Sequence, residues 1–147
     1  IQKPHPTIMV GGAGEKYLLK VVAKYADRYN LYFGTPEEMK RKINILKYYN
    51  TQNREIEYSI VLPCLIVDND EEIEKIIKKM KKGNITTDQF KKSVAGGLTV
   101  GTIDDIMNGI SQYVNIGVSH FIFHFLHLDR RVLKKFSRVA KVAKTIL

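Results

Sequence analysis

The sequence has a single cysteine, Cys64, and it has no apolar run long enough to cross a bilayer. One cysteine excludes a disulfide framework within the chain and indicates a reducing, cytoplasmic location. Because no Cys or His flanks it, Cys64 is predicted to be a buried small hydrophobe rather than a metal ligand or an activated thiolate. The longest near-apolar run, from Tyr58 to Val67, is interrupted by Ser59 and Pro63, so neither a membrane segment nor a signal peptide is predicted.

Negative charge is also scarce, with 15 Asp and Glu against 24 Lys and Arg and a net charge of +9. The lysines fall mostly beside acidic residues on predicted helices, as in the segment from Glu71 to Lys79, which is typical of solvated helix faces. No DNA- or RNA-binding motif accompanies the charge, so a small-molecule substrate is expected rather than nucleic acid. Asp27, Asp68 and Asp70 stand apart beside turns, where capping explains them, and no Walker-type or Ser-His-Asp pattern occurs.

The hydrophobic pattern alternates four times between strand and helix, which predicts an α/β fold with a parallel sheet and outer helices. A length of 147 residues favours one domain, 1–147. Four such units are half of a TIM (β/α)8 barrel, so we expect an N-terminal half to be missing. The predicted strands cover 7–10, 29–33, 55–67 and 120–125. The predicted helices cover 16–26, 36–49, 68–82, 103–115 and 129–146, and a further short helix runs from Thr86 or Thr87 through Val94. Gly83-Asn84 is predicted to end the third of these helices.

A glycine turn follows the first predicted strand. The segment Gly11-Gly12-Ala13-Gly14-Glu15 joins it to a predicted amphipathic helix. Glycines let backbone N–H groups approach a ligand, and a helix N-terminus favours an anion. Many strand-to-helix turns carry glycines only to turn tightly, so the residues alone leave a tight turn and a phosphate site both open.

Three segments in register carry a family resemblance. The stretch from Lys3 to Lys16 with Ala23–Asp27, the stretch Gly34–Met39, and the stretch Val100–Ile106 leading to Phe121 are similar to the C-terminal half of the luciferase-like monooxygenases. The likeness is greatest to the branch that uses the deazaflavin coenzyme F-420, and it covers nearly the whole chain.

The resemblance implies a TIM barrel of which this chain supplies strands five to eight. It implies a flavin- or deazaflavin-dependent oxidoreductase that performs hydride transfer or monooxygenation with coenzyme F-420 or FMN. It places the cofactor phosphate at Gly11, Gly12, Ala13 and Gly14, and it makes Glu15, which opens the helix with Lys16, a cofactor-binding residue as well. The alternative is a non-catalytic half-barrel that binds phosphate-containing ligands or assembles as an oligomer, and unpaired sheet edges favour pairing with a second chain or with the missing half.

Three histidines lie on or beyond the last predicted strand. His120 and His124 are about 13 Å apart at strand spacing, so they are not expected to share a metal. Strand C-termini reach the mouth of a barrel, which makes His124 and His127 candidate proton donors or substrate contacts, whereas His120 is expected to be structural. The alternating Phe121, Phe123 and Phe125 could form a stacking surface for a ring, but packing against the outer helices is the favoured prediction.

Overall fold

The computed structural model describes residues 5–79, 85–94 and 99–143. These ranges contain five strands: β1 Met9–Gly11, β2 Arg28–Tyr32, β3 Glu57–Ile66, β4 Val100–Gly101 and β5 Val118–Phe125. Six helices connect and flank them: α1 Leu18–Tyr25, α2 Pro36–Tyr49, α3 Asp70–Lys79, α4 Thr87–Ser93, α5 Ile103–Val114 and α6 Arg130–Ala143. Within these ranges no helix combines the length and hydropathy needed to cross a membrane.

The strands pair in the order β1-β2-β3-β4, and β5 also pairs with β3. β1 pairs with β2, β2 with β3 and β3 with β4, all in parallel, with Val10 opposite Tyr29, Tyr29 opposite Tyr58 and Leu65 opposite Val100. The predicted parallel α/β sheet is therefore confirmed. No pairing among the described strands closes it into a barrel. The two-residue strand β4 was not predicted, because Val100 and Gly101 give too short a pattern to reveal a strand.

Two compact units are defined by the contacts within the chain, with boundaries inside β3 and β5. Unit 1 contains the described residues up to Val61 together with 116–122, and unit 2 contains the rest. The assignment of one domain to 1–147 stays a prediction.

Unit 1 buries one side of α1 and α2 together with alternate residues of β2. Thr35 caps α2 by accepting a hydrogen bond from the Glu38 N–H at 3.2 Å, and Pro36 occupies the first turn, as the sequence predicts. The apolar core of this unit consists of Leu19, Val22, Ala23, Ala26, Tyr29, Leu31, Met39, Ile43, Leu46, Ile60 and Val118. The burial of this set fixes α1 and α2 against the sheet.

Unit 2 has a core built around Leu65, Phe90 and Val100. The rings of Phe123 and Phe125 lie 5.0 and 4.9 Å from the ring of Phe136 on α6, which confirms that they pack against an outer helix. Cys64 is fully buried, as predicted, and burial raises the pKa of its thiol to about 12.

The chain leaves β3 at its C-terminal end and returns to pair with it at β4 after an excursion of residues 68–99. The Leu65 N–H donates to the Thr99 carbonyl at 3.0 Å, and the Val67 N–H donates to the Gly101 carbonyl at 2.9 Å. The Thr99 hydroxyl, fully buried, donates to the Pro63 carbonyl. Capping boxes begin the helices within and after this excursion, Thr86 with Gln89 on α4 and Thr102 with Asp105 on α5.

Several boundaries differ from the prediction. α1 begins at Leu18 rather than Lys16, and residues 15–17 form a turn that precedes it. The predicted helix stop at Gly83-Asn84, the continuation of α3 to Lys82 and the end of the last helix at Ile146 lie outside the described residues.

Candidate functional site

The glycine turn lies at the C-terminal end of β1, in unit 1. Gly12 has a φ of +139°, and a Cβ placed there would approach Leu18 Cδ2 to 2.9 Å. The nearest atoms to a Cβ at Gly11 and at Gly14 lie at ordinary distances of 3.5 and 3.6 Å. Gly12 is thus the position of the turn at which the backbone favours glycine, and a side chain there would also displace the end of Leu18.

Two side chains hold the carbonyl groups of this turn. Tyr29 Oη donates to the Gly12 carbonyl at 2.8 Å, and Lys42 Nζ donates to the Ala13 carbonyl at 2.7 Å. In a planar trans peptide the N–H points opposite to the C=O, so these bonds direct the N–H groups of Ala13 and Gly14 away from Tyr29 and Lys42. Neither N–H has an acceptor within the part of the chain that the structure describes. The turn therefore presents two oriented, unused donors.

Gly12 and Glu15, which were also predicted to contact the ligand, have partners in the protein. The Gly12 N–H donates to the Asn30 carbonyl at 3.1 Å, so it is already satisfied. The Glu15 carboxylate lies 3.1 Å from Lys42 Nζ and 3.0 Å from the Arg41 guanidinium. Among Gly12, Ala13 and Gly14 the candidate donors thus narrow to the N–H groups of Ala13 and Gly14, and Glu15 forms ion pairs with Lys42 and Arg41.

Lys42 is only 1 % exposed, an unusual environment for an ammonium group. Its Nζ also lies 3.6 Å from the Glu38 carboxylate, one helical turn earlier on α2. Glu15 and Glu38 are each about one third exposed, so they balance the buried cation while they remain in contact with water. Burial, and then the negative charges of Glu38 and Glu15, raise the pKa of the Tyr29 hydroxyl well above its usual value, so the hydroxyl remains a proton donor.

Lys42 and Tyr29 were not identified as site residues from the sequence. The signal was present, because Lys42 lies three residues after Met39 and four before Leu46, within the apolar stripe of α2. Tyr29 alternates with Leu31 on the buried face of β2. A lysine inside an apolar stripe requires an internal partner, and the turn's carbonyl supplies one.

A groove of about 850 Å³ adjoins the turn along the outer side of α2. Its lining includes Glu15 and Lys16 from the turn, and Arg41 and Tyr48 from α2. Lys16 Nζ lies 5.3 Å from the centre of the Tyr17 ring, so this lysine rests over an aromatic face. The surroundings of the turn thus combine cations with exposed aromatic surface.

The opposite face of the sheet in unit 1 carries a row of polar side chains. Ser59, fully buried, donates to Asn30 Oδ1 at 2.9 Å, and its Oγ lies 2.7 Å from His120 Nδ1. Beside them Arg28 donates to Glu57 at 2.7 Å. His120 thus has the structural contacts expected of it, and burial, followed by the Arg28 charge, lowers its pKa.

His124 and His127 lie in unit 2, whereas the glycine turn lies in unit 1. His124 is exposed near the end of β5, and His127 follows that strand with its Nε2 3.6 Å from the Asp129 carboxylate. Their catalytic role stays a prediction.

Comparison with known proteins places this arrangement in a known fold. No family model matches the sequence, and no curated protein matches it. Among solved structures, an F-420-dependent secondary alcohol dehydrogenase in complex with an F-420-acetone adduct matches with a TM-score of 0.74 and 12 % identity, over 96 % of this chain and 50 % of that one. The chain has the fold of one half of such an enzyme.

Two further solved structures are similar to this chain in fold. EDTA monooxygenase from Chelativorans sp. BNC1 matches with a TM-score of 0.68 and 9 % identity, over 95 % of this chain and 44 % of that one. The F-420-dependent tetrahydromethanopterin reductase from Methanopyrus kandleri matches with a TM-score of 0.59 and 11 % identity, over 92 % and 48 %. These neighbours are luciferase-like enzymes, so the fold implied by the resemblance is confirmed. The chain spans about half the length of the first structures it matches.

Proposed function

We propose that the glycine turn binds the phosphate of a flavin or deazaflavin, and that the protein is an oxidoreductase dependent on coenzyme F-420 or FMN. The observation that carries the proposal is the orientation of the Ala13 and Gly14 N–H groups, which Tyr29 and Lys42 impose from the carbonyl side. The position of the turn after a parallel strand and before a helix supports it, since a phosphate there receives both N–H donors and the helix dipole.

The residues of the turn fit a phosphate sterically and electrostatically. Gly12 and Gly14 have no side chains, so no Cβ of theirs covers the N–H groups of Ala13 and Gly14. Arg41 and Lys42 neutralise Glu15, which would otherwise repel an anion. When bound, the cofactor supplies hydride or oxygen chemistry, and the chain contributes positioning and charge. His124 and His127 remain the candidate proton donors.

The proposal is tested by comparing ligands that differ in their phosphate. FMN and riboflavin are titrated into the protein, as are coenzyme F-420 and its phosphate-free deazaflavin, with fluorescence as the readout. We expect one phosphorylated ligand to bind at least ~10-fold more tightly than its phosphate-free counterpart, since charge-assisted hydrogen bonds contribute about 1.5–3 kcal/mol each. Equal affinity within both pairs contradicts the phosphate site.

A pair of substitutions at Gly14 locates the phosphate. Gly14 does not have the positive φ of Gly12, so it accepts a side chain without backbone strain. Gly14→Asp places a carboxylate beside the proposed phosphate, whereas Gly14→Asn adds nearly the same volume without charge. We expect the preference for the phosphorylated ligand to disappear in the Asp variant and to persist in the Asn variant. Equal behaviour of the two variants would show that the phosphate lies elsewhere.

We also propose that further strands of the same barrel pair along β1, supplied by a longer chain or by another copy. β1 has β2 on one side and no partner on the other among the described strands. Ile8 and Met9 on this edge are 46 % and 47 % exposed, which is unfavourable for an uncovered strand. Size-exclusion chromatography with light scattering checks this, and a stable, non-aggregating monomer of these 147 residues contradicts it. That result, combined with phosphate-dependent ligand binding, would favour a non-catalytic half-barrel module.

A further inference from the structure

A second cavity, of about 330 Å³, lies within unit 2 between α3 and α6. Its floor is formed by Ile66 and Val67 at the C-terminal end of β3. Four cations line it, Lys75 and Lys79 from α3 and Arg131 and Lys135 from α6. The cavity is therefore lined by positively charged side chains from two facing helices.

Both carboxylates that line the cavity already have partners within the protein. Glu72 faces Arg131 at 3.6 Å and Lys135 at 3.9 Å, and it also accepts a hydrogen bond from the Asp68 N–H at 3.1 Å. Asp129 accepts a hydrogen bond from the Val132 N–H at 2.8 Å, which caps the start of α6. Neither of these acidic groups forms an ion pair with Lys75 or Lys79 within the described residues.

Lys75 and Lys79 have no ion-pair partner in the described ranges. They lie one helical turn apart on α3, a spacing at which like charges repel each other. Arg131, opposite them, has a side chain that is 73 % exposed; it lies 3.6 Å from Glu72, and its charge also helps to lower the pKa values of Asp68 and Asp129. An anion in the cavity relieves this repulsion and receives three cationic donors.

We propose that this cavity binds an oxyanion of the phosphate type, held by Lys75, Lys79 and Arg131. Its volume of about 330 Å³ accommodates a phosphate group with a short carbon skeleton. The ligand is thus free phosphate or the phosphate monoester of a small molecule. This site is separate in sequence from the glycine turn and does not rest on the function proposed for it.

The test follows the backbone amide signals of the protein by NMR during titration with inorganic phosphate, glycerol phosphate and, as the uncharged match, glycerol. We expect saturable shifts on α3 and at the start of α6 with both phosphates and none with glycerol. Tighter binding of glycerol phosphate identifies a monoester, and equal binding identifies free phosphate. Because the signals are mapped, phosphate at the glycine turn is distinguished from phosphate here.

Two double variants with the same change of charge decide the assignment. Lys75→Gln with Lys79→Gln should weaken phosphate binding at least ~10-fold, because two charge-assisted contacts are lost. Lys78→Gln with Lys134→Gln removes two exposed lysines of the same helices that do not line the cavity, and it should change binding less than ~2-fold. Shifts that do not saturate, or an equal loss in both double variants, would overturn the proposal.

Discussion

Lys42 Nζ lies 2.7 Å from the carbonyl oxygen of Ala13, although the two residues are 29 positions apart in the sequence. The shape of the glycine turn therefore depends on α2, the helix that follows the next strand. Because the ammonium group is buried, its contacts with the turn are not weakened by competition with water. The turn is held in place before any ligand binds.

Lys42→Met should lower the free energy of unfolding by about 1–3 kcal/mol, because the Ala13 carbonyl loses its donor and Glu15 and Glu38 lose a buried counter-charge. Urea denaturation measures this change. Lys40→Met is the matched control, since Lys40 is an exposed lysine of the same helix and should change stability by less than ~0.5 kcal/mol. Similar losses in the two variants would show that Lys42 has no special role.

Gly12→Ala should destabilise the protein by about 1–3 kcal/mol, because a side chain at a φ of +139° is strained and its Cβ meets Leu18. Gly14→Ala places the same methyl group two residues later, where the nearest atom lies 3.6 Å away, and it should change stability by less than ~1 kcal/mol. Thermal and urea unfolding of both variants provide the comparison. If Gly12→Ala is as stable as Gly14→Ala, the turn does not require glycine at position 12.

Substitution of two adjacent threonines at the start of α4 should have different effects on stability. Thr86 accepts a hydrogen bond from the Gln89 N–H at 3.2 Å as the N-cap, so Thr86→Ala should cost about 1 kcal/mol. The Thr87 hydroxyl is buried and has no hydrogen-bond partner among the described residues, so Thr87→Val, which replaces it with a methyl group, should be neutral or stabilising. Denaturation midpoints measure both changes, and a loss at Thr87→Val as large as that at Thr86→Ala contradicts the assignment.

His120 should titrate below the ordinary histidine pKa of 6.5, because burial and the nearby Arg28 charge disfavour the protonated ring. When the pKa of a base is lower in the folded state, the unfolded state binds more protons between the two values. The stabilisation is then fully present above the unfolded pKa and is lost as the pH falls toward the folded one. The free energy of unfolding should therefore fall with pH below about 6.5, and less steeply in His120→Asn.

Charge variants check the cause of the His120 shift by NMR titration of the ring. Arg28→Gln should raise its pKa, since a repelling cation is removed, whereas Glu57→Gln should lower it further, since Glu57 favours the charged ring. Shifts in the same direction in both variants would contradict this electrostatic account.

The helices and long strands could be predicted from the sequence because their signals are local. Thr35 with Pro36, Thr86 with Gln89 and Thr102 with Asp105 each determine a helix start through contacts within one turn. Phe123 and Phe125 show a period of two, which indicates the face that packs on α6. β4 was missed because two residues carry no period, and its existence depends on hydrogen bonds with Leu65 and Val67, distant in the sequence.

The glycine turn could be located from the sequence, but its supporting residues could not be assigned. The bonds from Tyr29 and Lys42 span 17 and 29 residues, and no local pattern specifies which carbonyl a buried side chain will reach. The same holds for the row Asn30–Ser59–His120, whose members come from three strands. For the oxyanion cavity, the sequence indicates lysines at helical spacing on α3 without indicating that α6 faces them.

The two ends of the excursion between β3 and β4 lie side by side. The chain leaves at Val67 and returns by Thr99 and Gly101, within hydrogen-bonding distance of Leu65 and Val67. A segment whose two ends are held so close together can change in length at small entropic cost. This makes the region carrying α3 and α4 a natural place for insertion of a reporter or a binding loop, and for related proteins to vary in size, while β3 keeps its pairing.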